Sequence, residues 1–436
     1  MMKIIDSKLK GILGERYIPG KNAEAGRFFR KNSSSSDLAV AYPKTHDEVN
    51  IIIKNADETG IPVFTLYDKY LPQEISSKTG IIVDFREMNK IERLDRNNLM
   101  AHVQCGISFN ELQKELNKHE LKIQTPIGVT HDSAVKGFVN RAVIKASARY
   151  PEAQITNMYV TLPDGSLHKT GSHSLDEMAC DSPDGAAYLS YWYLGARDVY
   201  GVVSRASIVL YPVWEKRDVL AFDFDEPGSM LKAMRDIPRR EIGIEYLGMN
   251  SVYRGKLTGI KGGKWTQVTG FDGYTEHVYW QEKTVKKYTV ELVGRENKGA
   301  AEIFLKKIDE AWPVIGPHHT LFLTLFNRTM EFDEIINSAA ERNKIKGDDI
   351  GKLFISMDRG RSVSCLYEFY NDSDRMEKFI DELNLELLKC GAYFDTPQGD
   401  LSKAVFSSIE GYSAHLRRIK DMIDPNGILN PGILNF

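Results

Sequence analysis

The sequence predicts an α+β protein whose first domain of short strands and capped helices is followed by an α/β cap. Three observations carry this expectation. Short apolar runs precede two helix starts with capping-box spacing, a Pro-Asp-Gly turn joins two β-type runs, and from about Trp214 onward strands alternate with amphipathic helices.

The elements follow in order. A helical arm is expected over 1–36, ending in the short serine tract Ser33 to Ser36. Residues 38–42 form an apolar run, and Thr45 and Glu48 then stand at capping-box spacing. Val49, Ile52, Ile53 and Ala56 line one face of the helix that Gly60 stops. Residues 61–64, 81–85 and 100–105 read as strands because they are short and rich in β-branched or apolar side chains. Ser108 and Glu111 make a second capping box. Pro163-Asp164-Gly165 supplies the turn dihedrals of a hairpin between 158–162 and 166–169, and 202–213 is a long β-type run. Beyond a boundary near Trp214, 219–224 and 242–247 read as strands around a helix at 227–237. A glycine-rich stretch runs over 255–273, and within it 259–265 reads as a hairpin loop. Residues 321–326 and 364–370 are further strands, and Met376, Phe379, Ile380, Leu383 and Leu387 define an amphipathic helix ended by Gly391.

Composition narrows the function. With 436 residues the chain is expected to form two or three domains, at roughly 100–200 residues each. Its formal charge of −3 removes the electrostatic case for a nucleic-acid partner. No apolar run reaches the roughly 18–20 residues of a membrane span, and the first residues lack a signal-like apolar core, so a cytoplasmic location is expected. Cys105, Cys180, Cys365 and Cys390 are scattered without a C-x-x-C pair, so neither a protein-held Fe–S cluster nor a metal site is expected. Electrons arriving on this chain would have to leave through oxygen, a diffusible acceptor or a separate protein.

Three segments together resemble the FAD-binding flavoproteins of the vanillyl-alcohol oxidase and p-cresol methylhydroxylase type, in the branch of D-lactate dehydrogenases and the glycolate oxidase flavin subunit. The first comprises Ala41-Tyr42-Pro43-Lys44-Thr45, Gly60-Ile61-Pro62-Val63 and Gly80-Ile81-Ile82-Val83-Asp84-Phe85. The second is Leu162-Pro163-Asp164-Gly165-Ser166 with Leu194-Gly195-Ala196-Arg197-Asp198-Val199-Tyr200-Gly201-Val202-Val203. The third is Asp424-Pro425-Asn426-Gly427-Ile428-Leu429-Asn430-Pro431-Gly432. The resemblance implies a two-subdomain FAD-binding domain over 37–213, a cap (substrate) domain over 214–415, and a tail, 416–436, that returns to the first domain. It implies FAD as cofactor, with Gly137, Asn140, Arg141, Gly201, Val202, Val203 and Asn430 near it, and a small hydroxy acid or alcohol as substrate. It also implies an Fe–S or electron-transfer flavoprotein partner.

The sequence departs from that family at the cofactor's diphosphate. Where the family has consecutive glycines this chain has Tyr67, Asp68, Lys69 and Tyr70, and the family's glycine pair corresponds to Val135-Lys136-Gly137. Two readings stay open: FAD bound with Lys69, Lys136 or Arg141 replacing backbone N–H groups by charge, or a flavin-free, non-catalytic scaffold subunit of a larger redox complex. In the cap, His318, His319, Arg328 and Tyr367 are the candidate catalytic residues, as proton acceptor, carboxylate clamp and proton relay. One of the two adjacent imidazoles must face away from the other, because strand side chains alternate. Glu368 is expected to be a surface salt-bridge residue.

Overall fold

A computed structural model describes the chain except residues 1, 22–23, 30–36, 67–69, 73–74, 77, 130–132, 146–153, 176–188, 261 and 374. Two sheets build the first domain. In the four-stranded sheet, Asp37–Ala41, Thr79–Val83 and Val63–Thr65 run parallel in that order, and Tyr17–Ile18 adds an antiparallel edge. The five-stranded sheet is antiparallel, in the order Leu167–Lys169, Ile155–Thr161, Val202–Val209, Met100–Gln104, Ile91–Asp95.

Local sequence explains the helices that join them. Thr45 accepts a hydrogen bond from the Glu48 amide and Gly60 closes the helix His46–Thr59 at φ 63°, a left-handed cap that a residue without Cβ adopts at no steric cost. The Thr45 box is only half formed, because the Glu48 carboxylate turns to Arg16, 2.5 Å away. At Ser108 the reciprocal box with Glu111 is complete.

The N-terminal segment is not a separate arm. Ile5, Leu9 and Leu13 of the helix Met2–Leu13 are buried in the core of the first domain, and Tyr17 pairs with Ala41. The tail enters the same core through Ile419, Ile428, Leu429 and Ile433. Leu429 forms a parallel bridge with Val63, whose N–H donates to Ile428 and whose carbonyl accepts from the Asn430 N–H.

The cap is an antiparallel seven-stranded sheet in the order Arg295–Glu296, Lys216–Phe224, Trp265–Gly273, Glu245–Asn250, Ile350–Met357, Ser362–Phe369, His318–Leu325. Phe322, Phe354, Cys365, Tyr367 and Phe369 point to one face, packed on the helices Pro227–Asp236, Thr329–Arg342 and Met376–Lys389. Leu247, Val268, Leu353, Ile355 and Leu366 point to the other, where they meet Ile127 of the first domain. The glycine-rich stretch begins inside the helix Ser251–Thr258, started by the Asn250 side chain, and ends in the strand Trp265–Gly273, so the segment expected as a hairpin loop joins a helix to a strand rather than two strands. Past Gly391, Tyr393 adds a single antiparallel bridge to Leu323.

The two parts are joined by more than surface contact. Trp312–Pro313 runs parallel to Pro126–Val129, which pairs with Val143–Ile144. Fully buried Lys145 donates to the carbonyls of Ile308 and Glu310 and lies 4.9 Å from the Trp312 ring centroid. Burial pushes its ammonium down to about 7.

Candidate functional site

The motifs that carry the resemblance converge on one buried polar cluster. Thr65 stands at the end of the strand Val63–Thr65. Asn430, in the left-handed region at φ 45°, reaches it from the tail: its Oδ1 accepts from the Thr65 N–H at 2.8 Å, and its amide nitrogen donates to Thr65 Oγ1 at 2.9 Å and to the Arg197 carbonyl at 2.7 Å. Thr65 Oγ1 donates to Asp198 at 2.7 Å. Lys136 completes the cluster from the short helix Ala134–Val139, with Nζ 2.5 Å from Asp198, 2.8 Å from the Val203 carbonyl and 4.5 Å from the Phe85 ring centroid. The Val203 N–H donates to the other Asp198 oxygen. All these side chains are buried.

Two candidates therefore do other work than the sequence suggests. The Asn430 amide is spent on Thr65 and Arg197 rather than offered to a ring edge. Both backbone groups of Val203 are taken by Asp198 and Lys136. Lys136, the largest departure from the family's glycine pair, fills the middle of the cluster with a charge that Asp198 neutralises. Sequence reasoning missed Asp198 as its partner; the signal available was an acid in one motif and an added base in another, which the fold brings together.

The remaining cofactor candidates divide. Tyr67, Asp68 and Lys69 lie outside the described residues, and Tyr70 is half-buried. Gly137 is buried, with a Cβ built there only 2.8 Å from the Phe109 ring. Gly201 is likewise closed in: its Cβ would stand 2.5 Å from Val160. Gly201 and Val202 precede Val203 at the start of the strand Val202–Val209, with Val202 fully buried. Asn140, just past the helix, keeps both side-chain amide atoms buried without a hydrogen-bond partner among the described residues. Arg141 turns toward the cap, where its Nη1 is 3.1 Å from Asp395.

The cap does not gather the four catalytic candidates. Tyr367 is fully buried on the helix-covered face and donates to Asp333 at 3.0 Å, an oxygen that also accepts from Lys352 at 2.7 Å. Burial and the Asp333 charge hold its phenol far above the usual range. His318 pairs with Phe369 on that same face and lies 3.4 Å from Asp372. His319 pairs with Glu368 on the opposite face, toward the first domain, where Leu366 approaches Gly128. The expected divergence of the two imidazoles is what the strand shows. Arg328, past the strand's end, ion-pairs with Glu331 at 2.7 Å and donates to the Cys390 carbonyl.

Glu368 corrects the expectation of a surface residue. It is fully buried, and its carboxylate accepts from the Ile315 and Gly316 N–H groups and from the Tyr370 hydroxyl. Burial raises its pKa, opposed by the two amides and the phenol. It anchors the turn that feeds His318–Leu325.

This architecture, a first domain of two sheets closed by the tail and joined to a cap, is the fold of p-cresol methylhydroxylase. Residues 38–171 match the FAD binding domain family. The chain is 26% identical over 242 residues to the mitochondrial D-lactate dehydrogenase [cytochrome] 1 of Saccharomyces cerevisiae, an alignment covering 51% of this chain and 39% of that protein. It is 22% identical over 432 residues to the glycolate oxidase subunit GlcD of Bacillus subtilis, covering 90% and 88%. The solved structure of p-cresol methylhydroxylase with substrate bound superimposes with a TM-score of 0.84 at 15% identity, covering 99% of this chain and 96% of that one. The matched stretch thus spans well under half the length of the yeast relative.

The described residues fit FAD at the flavin end of the cradle, where the buried Asn140 amide offers a donor and an acceptor that no described residue uses. Around Lys136 the polar groups are satisfied by one another.

Proposed function

We propose that the chain is an FAD-dependent oxidoreductase that moves hydride between a small organic substrate, a hydroxy acid or an alcohol, and flavin. The observation that carries the reading is the FAD binding domain match over residues 38–171, set in the fold of p-cresol methylhydroxylase. The relatives named for D-lactate and glycolate support the hydroxy-acid class.

FAD, when bound, supplies a two-electron hydride acceptor. This chain supplies position and protons. Asn140, with backbone groups near Gly137 and of Gly201 and Val202, would hold the flavin end. On the cap face that carries Leu366 and His319, apolar side chains pack on the helices Ser251–Thr258 and Lys298–Lys307 and meet Ile127 of the first domain, and Leu366 lies against Gly128. Of the four cap candidates, His319 alone projects from that face, so we assign it the proton-accepting role at an imidazole nitrogen. Lys145 and the Trp312–Pro313 strand keep the cap seated.

Electrons then pass to a separate redox protein, an Fe–S or electron-transfer flavoprotein subunit, because the cysteines lack cluster spacing. Among the described residues no helix is long and apolar enough to cross a membrane. A cytoplasmic location is part of the proposal and rests on sequence alone.

The test is to purify the chain without added cofactor, record flavin absorbance, then add D-lactate or glycolate anaerobically. Flavin that bleaches with either acid supports the reading. A chain that carries no flavin and takes up none when FAD is added moves the assignment to the non-catalytic scaffold. Complete reoxidation by air as fast as by a co-purifying partner would remove the partner from the proposal.

A further inference from the structure

The backbone contact that seats the cap on the first domain is short. Trp312–Pro313 pairs in parallel with Pro126–Val129, and Pro313 has no N–H to give. Lys145, just past the strand Val143–Ile144, reinforces that seat with a fully buried amine. Its Nζ donates to the carbonyls of Ile308 and Glu310 on the cap side and lies 4.9 Å from the Trp312 ring centroid. Its backbone N–H donates to the Thr125 carbonyl at 3.3 Å, so one residue grips both sides of the junction.

The charged groups around the amine leave it without a counter-charge. Arg217 takes both neighbouring cap carboxylates, with Nη2 2.9 Å from Glu245 and 2.9 Å from Asp309. Lys122 and Asp272, another pair across the junction, hold each other at 2.8 Å. Glu310 is exposed and gives Lys145 its carbonyl. Among the described residues no carboxylate comes within ion-pair distance of Lys145, and both its acceptors are neutral. An ammonium buried in that setting loses its hydration and gains no partner of opposite sign, which favours the neutral amine. The two N–H groups of that amine match the two carbonyls. Burial accordingly lowers the Lys145 pKa to about 7, against the pull of Glu245, Asp309 and Glu310 and with the help of Arg217.

Water has a way in. A cavity of about 190 Å³ lies against the same seat, lined by Asn110 and Gln113 of the helix Phe109–Leu116, by Thr125, and by Asp309 and Glu310 of the cap. Thr125 and Glu310 are the residues whose carbonyls Lys145 holds, so drawing the cap back at this wall would bring the amine from a dry junction into a wet one.

We propose that Lys145 is a proton-sensitive latch between the cap and the first domain: the neutral amine holds the cap seated, and the cap draws away from that seat when the amine takes up a proton. The latch goes beyond the oxidoreductase reading and does not depend on it, because it belongs to the junction with or without flavin. Its sign follows from linkage. The seated amine titrates near 7 and a hydrated one near the ordinary 10.5, so between those values only the released form carries the proton. The ratio of seated to released chain therefore rises by about tenfold per pH unit across that window, and it is flat below it, where both forms are protonated.

The test is amide hydrogen exchange on the purified full chain from about pH 7.5 to about pH 9.5, corrected for the intrinsic rise of exchange with pH, comparing segments 126–129, 143–145 and 308–313 with the core strand Asp37–Ala41. Protection of the junction segments is expected to climb by about tenfold per unit while they still exchange faster than the core strand. Lys145→Met should flatten the climb. Lys145→Arg, which stays charged throughout, should keep junction protection low at every pH and leave the core strand protected. A corrected profile that is flat in the parent overturns the latch, and so does an equal climb in Lys145→Met. Junction segments that exchange only as slowly as the core strand overturn it as well, because the cap would then leave its seat only by global unfolding. Should Lys145→Met not fold, the parent profile and Lys145→Arg decide between the same outcomes.

Discussion

Asn430 and Thr65 are 365 residues apart in sequence and exchange two hydrogen bonds, one to the Thr65 N–H and one to its hydroxyl. With the Leu429–Val63 bridge beside them, they close the first domain with the last residues of the chain. Asn430→Ala would leave a buried N–H at Thr65 and a buried carbonyl at Arg197 without partners. The expected loss is about 2–4 kcal/mol, two unsatisfied groups, read by urea unfolding. Limited proteolysis should cut the tail first. A variant as stable as the parent, with a protected tail, would show that the tail is held by Ile428 and Leu429 alone.

The Lys136–Asp198 pair is buried and satisfied on both sides. Removing one partner leaves a lone buried charge, so Lys136→Met should cost about 3–5 kcal/mol, and Asp198→Asn a comparable amount. The double variant should recover most of the loss, because the uncompensated charge is gone. Additive losses in the double-mutant cycle would mean that the pair is not coupled through charge.

What could be read from sequence was local. The Ser108–Glu111 box, Gly60, Gly391 and the buried face of His46–Thr59 depend on residues within one or two turns of each other. The Tyr17–Ile18 strand was not legible, because its partner lies beyond the serine tract. The helix Ser251–Thr258 was hidden by Gly255 and Gly259, although Asn250 at its cap was a usable signal. At the site, the motifs were legible as motifs and their mutual satisfaction was not. Whether Lys136 faces a phosphate or Asp198 depends on two segments 62 residues apart, and no periodicity reports that. The burial of Glu368 was hidden similarly: its partners are the backbone of Ile315 and Gly316, which have no sequence signature.

Lys145 gives a pH dependence with a definite sign. Its folded pKa is lowered to about 7 from the ordinary 10.5. Between those values the unfolded chain binds the proton and the folded chain does not, so stability rises with pH across the window. Below about pH 7 both states are protonated and the penalty of the buried charge is complete. Denaturant midpoints measured from about pH 7 to about pH 10 should therefore climb more in the parent than in Lys145→Met, which lacks the titrating group. Parallel pH profiles would show that the ammonium does not titrate in this window.

Tyr367 and His319 are separated by the sheet itself. Tyr367 faces the helices and Asp333, and His319 faces the first domain beside Glu368. Tyr367→Phe removes one hydrogen bond to a carboxylate that keeps Lys352 as partner, so a loss of about 1 kcal/mol in stability is expected. Substrate-driven flavin bleaching should continue at the parent's rate, because the phenol does not reach the covered face. His319→Gln should do the reverse, leaving the unfolding midpoint near the parent's and slowing bleaching by about 10²-fold or more, in the range of a lost general base. The split between kcat and KM separates a chemical role from a positional one: His319→Gln should lower kcat and leave KM near the parent's. Slowed bleaching in Tyr367→Phe at unchanged stability would place the reaction on the other face of the sheet, and with it the substrate.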